Sequence, residues 1–365
     1  MMEMALPILL KYIFREYVKI LFLCLATLVL VYITIDFFGK IGRLIQEDAS
    51  FRLILIYFGL KIPKTVFDVA PIAMLVSTLI LLGLQSRNNE IVALKSSGIS
   101  LLYATSPLLI LALTLSLLLG FGNLSFIPLT KQKTDFVHFV KIKKFQEQAY
   151  YGQSQIWIRD GRHTFLNIGL VDPINRVLHD VTLYKLRDDF TLEERIRTKR
   201  VQYENGSWIM YQGQALEFSE DGKMTENVFE KQTATFQRKP QEFKGLDVDT
   251  DKMKFEELKK YINRLDKDGY DVKRYRVDLY NKVSLPFVNF VMALVAIPFG
   301  LVETRSRGVA RGVGISLLIG SCYWIVHSIA LSLGHAGLIP PLLASSLANL
   351  LFLATGVYLY LGIRQ

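Results

Sequence analysis

Sulfur and imidazole are scarce in this chain, which has two cysteines and five histidines in 365 residues. That excludes a small disulfide scaffold. Cys24 and Cys322 each lie within an apolar block and read as small buried hydrophobes. No Cys or His cluster has zinc spacing, so no metal site is expected. No G-x-x-x-x-G-K-[ST] phosphate loop occurs, so the chain does not bind ATP in the P-loop manner. A Gly-x-Ser-x-Gly elbow is missing too, and His138, His163, His179, His327 and His335 show no local pattern. A Ser-His-Asp hydrolase is therefore unsupported, and no catalytic residue is assigned.

What the chain has in excess is positive charge and apolar length. It carries 43 Lys and Arg against 33 Asp and Glu, a net charge of +10, with 51% hydrophobic residues. A basic balance alone points to nucleic acid or an anionic membrane surface. The apolar residues, however, come in blocks long enough to cross a bilayer, which requires about 20 mainly apolar residues. Segments 17–36, 54–84, 101–122, 281–302, 309–333 and 339–361 meet that test. The second is interrupted by Lys61, Pro63, Lys64 and Asp68, which puts its first turns at the interface or against protein, where polar groups are satisfied. Pro63 and Pro71 predict a kink.

The amphipathic stretch Leu6 to Lys19, with Lys11, Arg15 and Lys19, is expected to lie along the cytoplasmic surface ahead of the first span and is not a cleaved leader. Lys and Arg in short loops set the orientation. Arg87, Lys95, Arg305, Arg307, Arg311 and Arg364 fall on the same side as the N-terminal stretch, against Lys40, Arg43 and Arg52 in the opposite loop 37–52. Both termini are thus expected in the cytoplasm, with 123–280 on the far side.

Within 123–280 charges become frequent and short alternating runs replace the long blocks. Gln155–Arg159, Thr164–Ile168, Val177–Leu186, Arg195–Gln202, Trp208–Tyr211 and Thr233–Phe236 read as strands. Between them lie Asp160-Gly161, Asn205-Gly206 and Asp221-Gly222, pairs that accept positive φ in tight hairpins. Antiparallel strands at this spacing predict a sandwich or jelly roll. Alternation turns either Ile156 and Ile158 or Trp157 inward. Phe255, Leu258, Ile262 and Leu265, stopped by Gly269, predict an amphipathic helix. Lys141, Lys143 and Lys144 read as a solvated or headgroup-facing stretch. The expected fold is an α-helical membrane protein of six spans, three plus three, with an inserted all-β domain resembling a jelly roll. Residues 1–122 hold spans one to three, 123–280 the β-domain with its trailing helix, and 281–365 spans four to six.

The loop between spans two and three, Gln85 to Ser100, predicts a short helix over 88–98. Asn88 or Asn89 caps it, Glu90 meets the positive end of the helix dipole, and Gly98 ends it. One reading is an interfacial turn. The other is a helix that fits a groove on a separate ATPase. Cations lie at the opposite side: Lys40 and Arg43 follow span one, and Lys61 and Lys64 are drawn into span two. A lysine meets a phosphate as a point charge and an arginine engages two oxygens. Their alternative is to snorkel, or to pair with Asp36, Glu47, Asp48 or Asp68.

The block Gly83-Leu84-Gln85-Ser86-Arg87-Asn88-Asn89-Glu90-Ile91-Val92-Ala93-Leu94-Lys95-Ser96-Ser97-Gly98 resembles the signature of the LptF/LptG family, permease subunits of the lipopolysaccharide exporter. The six-span layout is similar, as are Leu258 to Tyr275 and Leu279-Tyr280-Asn281-Lys282 before Pro286. Trp157-Ile158-Arg159-Asp160-Gly161 and Gly337-Leu338-Ile339-Pro340-Pro341 look more like the LptG branch. The resemblance implies a bacterial inner-membrane permease with a periplasmic β-domain. It also implies an LptF-like partner, two LptB-like ATPase subunits, an LptC-like single-span protein, a periplasmic LptA-like bridge, and lipopolysaccharide as cargo. The lipid would enter between span one of one permease and span five of the other. Cofactors in this chain are none, with ATP and Mg bound by the partner ATPase. Lys40 and Lys64, with Arg43 and Lys61 beside them, would meet the lipid's phosphates. Asn89, Glu90, Ile91, Leu94 and Gly98 would form the coupling helix, and the β-domain interior would accept acyl chains. Two other readings remain at this point: a permease of another lipid, lipoprotein or macrolide exporter, and a membrane-anchored interaction protein. Charges within a span argue against a passive anchor.

Overall fold

The computed structural model describes residues 2–142, 156–172, 177–204, 206–219, 224–234, 236, 249–267, 271–302 and 308–363. Lys143, Lys144, Asn205, Asp221-Gly222, Gly269, Arg305, Arg307 and Arg364 lie outside them. Two compact units emerge: one formed by Met1–His138 with Thr250–Gln365, the other by Phe139–Asp249.

In the first unit the described residues hold six helical segments long and apolar enough to cross a membrane. Span one is α1 (Met2–Gln46) and span two is α2 (Phe51–Arg87), followed by the short α3 (Glu90–Ser96). Span three is α4 (Leu101–Phe121), which runs on through a π-helical stretch into α5 (Ile127–Phe136). After the insert come α6 (Phe255–Lys267), then α7 (Lys273–Ser284) and α8 (Val288–Val302), which together make span four. Spans five and six are α9 (Gly308–His335) and α10 (Pro341–Leu361).

Residues Leu6 to Lys19 do not form a separate surface helix, because α1 is continuous from Met2 to Gln46. Ile13, Tyr17 and Leu21 recur every four residues and bury against Met74 and Leu81 of α2 and Leu108 of α4. The Tyr17 hydroxyl is 2.8 Å from Thr78 Oγ1, so one side of the amphipathic stretch packs on protein. Nor are the cysteines both buried: Cys24 is half-buried and Cys322 exposed. A thiol on the outer side of an apolar span has lipid as its neighbour, and burial within one's own chain is not required there. Helix α2 continues through Pro63 and Pro71 and is the best-buried span together with span four.

The second unit is a six-stranded antiparallel sheet in the order β1 to β6. Its strands are β1 (Ile156–Asp160), β2 (Thr164–Asp172), β3 (Val177–Leu186), β4 (Leu192–Glu204), β5 (Ser207–Phe218) and β6 (Met224–Thr233). The all-β insert between spans three and four is thus a meander in which each strand pairs with its sequence neighbours. Gly161 at φ +73° and Gly206 at φ +89° make the tight turns that the Gly positions predict. The last expected strand is displaced: β6 covers Met224–Thr233 in place of Thr233–Phe236. Its side chains are nearly all exposed, so it lacks the apolar alternation that marks a strand. Phe236 instead caps the core formed by Leu166, Ile168, Val181, Val201 and Trp208. In β1, Ile158 points inward, whereas Trp157 is 50% exposed and stacks on Tyr184.

Candidate functional site

Two polar levels lie at opposite ends of α2. At its start, Asp36 on α1 accepts from Lys40 at 2.6 Å, one helical turn away on α1, and from Lys61 on α2. A single carboxylate therefore ties the two helices together. The Lys61 ammonium also lies over the Tyr57 ring, 5.4 Å from its centre, a cation–π placement that holds the amine against protein. One turn on, Lys64 pairs with Asp68 at 2.9 Å and lies 5.2 Å from the Phe67 ring centre. Arg43 is exposed on α1 and has no ion-pair partner among the described residues. The structure so brings Lys40 and Lys61 together, sets Lys64 beside them, and leaves Arg43 apart.

The segments that carry the β-domain add charges that local spacing did not reveal. Lys131 on α5 meets Asp251 at 3.2 Å, and Lys252 meets Asp135 at 2.6 Å. Gln132 Nε2 donates to the Lys252 carbonyl at 2.6 Å, and Asp278 of α7 accepts from Thr250 Oγ1 at 2.8 Å. Burial pushes the Asp251 carboxyl up, but the Lys131 and Lys64 charges outweigh it and hold its pKa below the ordinary carboxylate value. These residues sit more than 100 positions apart in sequence, so only the fold joins them; the single local signal was Lys282 near the start of an apolar block.

At the other end of α2, the backbone reverses at Asn89 (φ 61°), and α3 begins at Glu90. Neither asparagine caps it as expected. Asn89 makes no side-chain cap bond, and Asn88 Nδ2 instead donates to Glu90 at 3.3 Å; a left-handed Asn89 replaces the extended backbone that a side-chain cap needs. Gly98 (φ +70°) ends the turn after α3, a conformation that side-chain-bearing residues rarely adopt. Ile91 and Leu94 point inward and are buried, while Val92 and Lys95 face out. Glu90 is partly exposed at the near end, 3.5 Å from the Tyr12 hydroxyl. The inward pair anchors the helix, and the outward residues are left for contact.

Six spans, a β insert after the third, and charged groups at both ends of one central helix define a multi-pass membrane protein of two compact units. Residues 11–362 match the family model for the lipopolysaccharide export system permeases LptF/LptG, and the chain belongs to that family. It is 23% identical to the LptG permease protein of Haemophilus influenzae over 352 residues, 94% of this chain and 95% of that one. Against Escherichia coli K12 it is 23% identical to LptG over 313 residues, 83% of this chain and 84% of that one. To LptF of the same strain it is 23% identical over 364 residues, 97% and 94% of the respective chains.

Proposed function

We propose that the chain is the LptG-type permease of an ABC exporter that takes lipopolysaccharide from the bacterial inner membrane and passes it to a periplasmic bridge. The observation that carries this reading is the continuity of α2. It joins the Lys61 and Lys64 level to α3 as one rod, and 26 residues at about 1.5 Å each give roughly 39 Å between Lys61 and Arg87. A push on α3 by LptB-like ATPase subunits is transmitted along that rod to the cations. There Lys40 and Lys64, flanked by Lys61 and Arg43, would meet the lipid's phosphates, and an LptF-like partner would close the cavity. Nucleotide and Mg belong to the ATPase. The excess of Lys and Arg in the loops on the α3 side supports cytoplasmic termini and a periplasmic β-domain. The Trp157–Gly161 and Gly337–Pro341 stretches support the LptG branch. Glu90→Lys tests the coupling role in the purified assembly. Lipid-stimulated ATP hydrolysis is expected to fall severalfold with the spans intact; unchanged hydrolysis and unchanged LptB recovery would sink it.

A further inference from the structure

Three lysines from separate segments converge on one small cleft of the membrane unit. Lys64 of α2, Lys131 of α5 and Lys282 of α7 line it with Phe67, Asn281 and Asp251 around a volume of about 50 Å³. Two of the ammonium groups are answered, Lys64 by Asp68 at 2.9 Å and Lys131 by Asp251 at 3.2 Å. Asp278, also on the cleft wall, is engaged by Thr250 Oγ1 and His335 Nε2, each at 2.8 Å. Lys282 differs. It is only 6% exposed, and among the described residues no acceptor lies within hydrogen-bond or ion-pair distance of its Nζ. Beside it, the buried Asn281 Oδ1 also has no hydrogen-bond partner.

An ammonium drawn out of water without a counter-charge at contact distance is costly, and an anion is what completes it. The space limits the choice. One water needs roughly 10–15 Å³, so the cleft takes a group of a few heavy atoms and no more. Donors reach it from three helices, and a tetrahedral oxyanion offers an oxygen to each, whereas a carboxylate offers two. We infer that this cleft seats a phosphoryl group. Lys282 is its principal ligand, Lys64 and Lys131 are flanking charges, and the Asn281 amide, turned about its last torsion, is a neutral donor. The inference rests on the cleft itself and not on which lipid is transported. It is also distinct from the Asp36, Lys40 and Lys61 level.

The group has two sources, free phosphate or a lipid headgroup, and the test separates them. The full chain is reconstituted in phosphatidylcholine nanodiscs and titrated with inorganic phosphate against chloride at matched ionic strength, with thermal unfolding as the readout. In a second arm, native mass spectrometry counts phosphatidic acid retained from doped nanodiscs. Lys282→Met keeps the stem and removes the charge, Lys282→Arg restores a cation, and Asn281→Ala serves if the first variant does not fold. Stabilisation by phosphate that Lys282→Met weakens about tenfold or more, and Lys282→Arg partly recovers, supports a free-phosphate site. Retention of phosphatidic acid with the same variant pattern and no phosphate effect supports a headgroup site. If neither ligand distinguishes the wild type from Lys282→Met or Asn281→Ala, the inference is overturned.

Discussion

Asp36 answers two ammonium groups from two helices with one carboxylate, and the two contacts are not equal. The Lys61 side chain is 21% exposed and that of Lys40 41%, so water screens the second contact more than the first. A double-mutant cycle with Asp36→Asn and Lys61→Met is expected to give a coupling of about 1–3 kcal/mol. The matching cycle with Lys40→Met should give less than about 1 kcal/mol. Equal couplings would refute the ranking. Asp251 supplies a pH dependence with a definite sign. Its folded pKa is lowered, so its contribution is fully present above the unfolded value of about 3.9 and disappears as pH falls through the folded one. The pair with Lys131 is partly solvated, which limits the effect to some tenths of a kcal/mol up to about 1. Thermal unfolding followed from pH 6 down to 3 should show this loss in the wild type and a flatter profile in Asp251→Asn.

At the scale of elements, α3 is held by few contacts. It has two turns, and its stability rests on Ile91 and Leu94 against the bundle and on the reversal at Gly98. Leu94→Ala should cost about 2–4 kcal/mol by opening a cavity. Gly98→Val should cost about 1–2 kcal/mol by placing a branched residue at φ +70°. Both are expected to raise hydrogen exchange across 90–97, while Val92→Ala, on the outward face, leaves it unchanged. The sequence made α3 legible because its signals are local: a charge at the start, a glycine at the end, apolar residues three apart. The sheet was less so. In β3 the inward set passes from Leu178 to Val181 and Leu183, in β4 from Ile196 and Thr198 to Val201, and in β5 from Trp208 and Met210 to Gly213 and Ala215. The inward residues change parity along one line through Asp180, Lys199 and Gln212, with Asp180 and Gln212 at positive φ, while the pairing register holds on both sides. Simple alternation fails at that line, which is why β5 reads as ending at Tyr211 although it continues to Phe218.

At the scale of the whole molecule, the spans were legible from apolar length and the cation level from charges set inside span two. The clamp at the base of the insert was not, since it joins α5 to residues 250–252 across the entire β-domain. In that clamp the outgoing and returning segments touch through the Lys131–Asp251 and Asp135–Lys252 pairs and the Gln132 bond. The insert therefore leaves the bundle and re-enters it at a single place, and the ends of the membrane unit already face each other without it. The β-domain is, in topological terms, a removable cassette. Replacing residues 143–248 with a flexible linker of about ten Gly and Ser residues should yield a chain that inserts, elutes as one symmetric peak in detergent and unfolds cooperatively, yet passes no lipid onward. Aggregation of that chain would show that the bundle depends on the insert. Success would mean that the spans and the β-domain are free to be exchanged between relatives as separate parts, joined at one ionic seam.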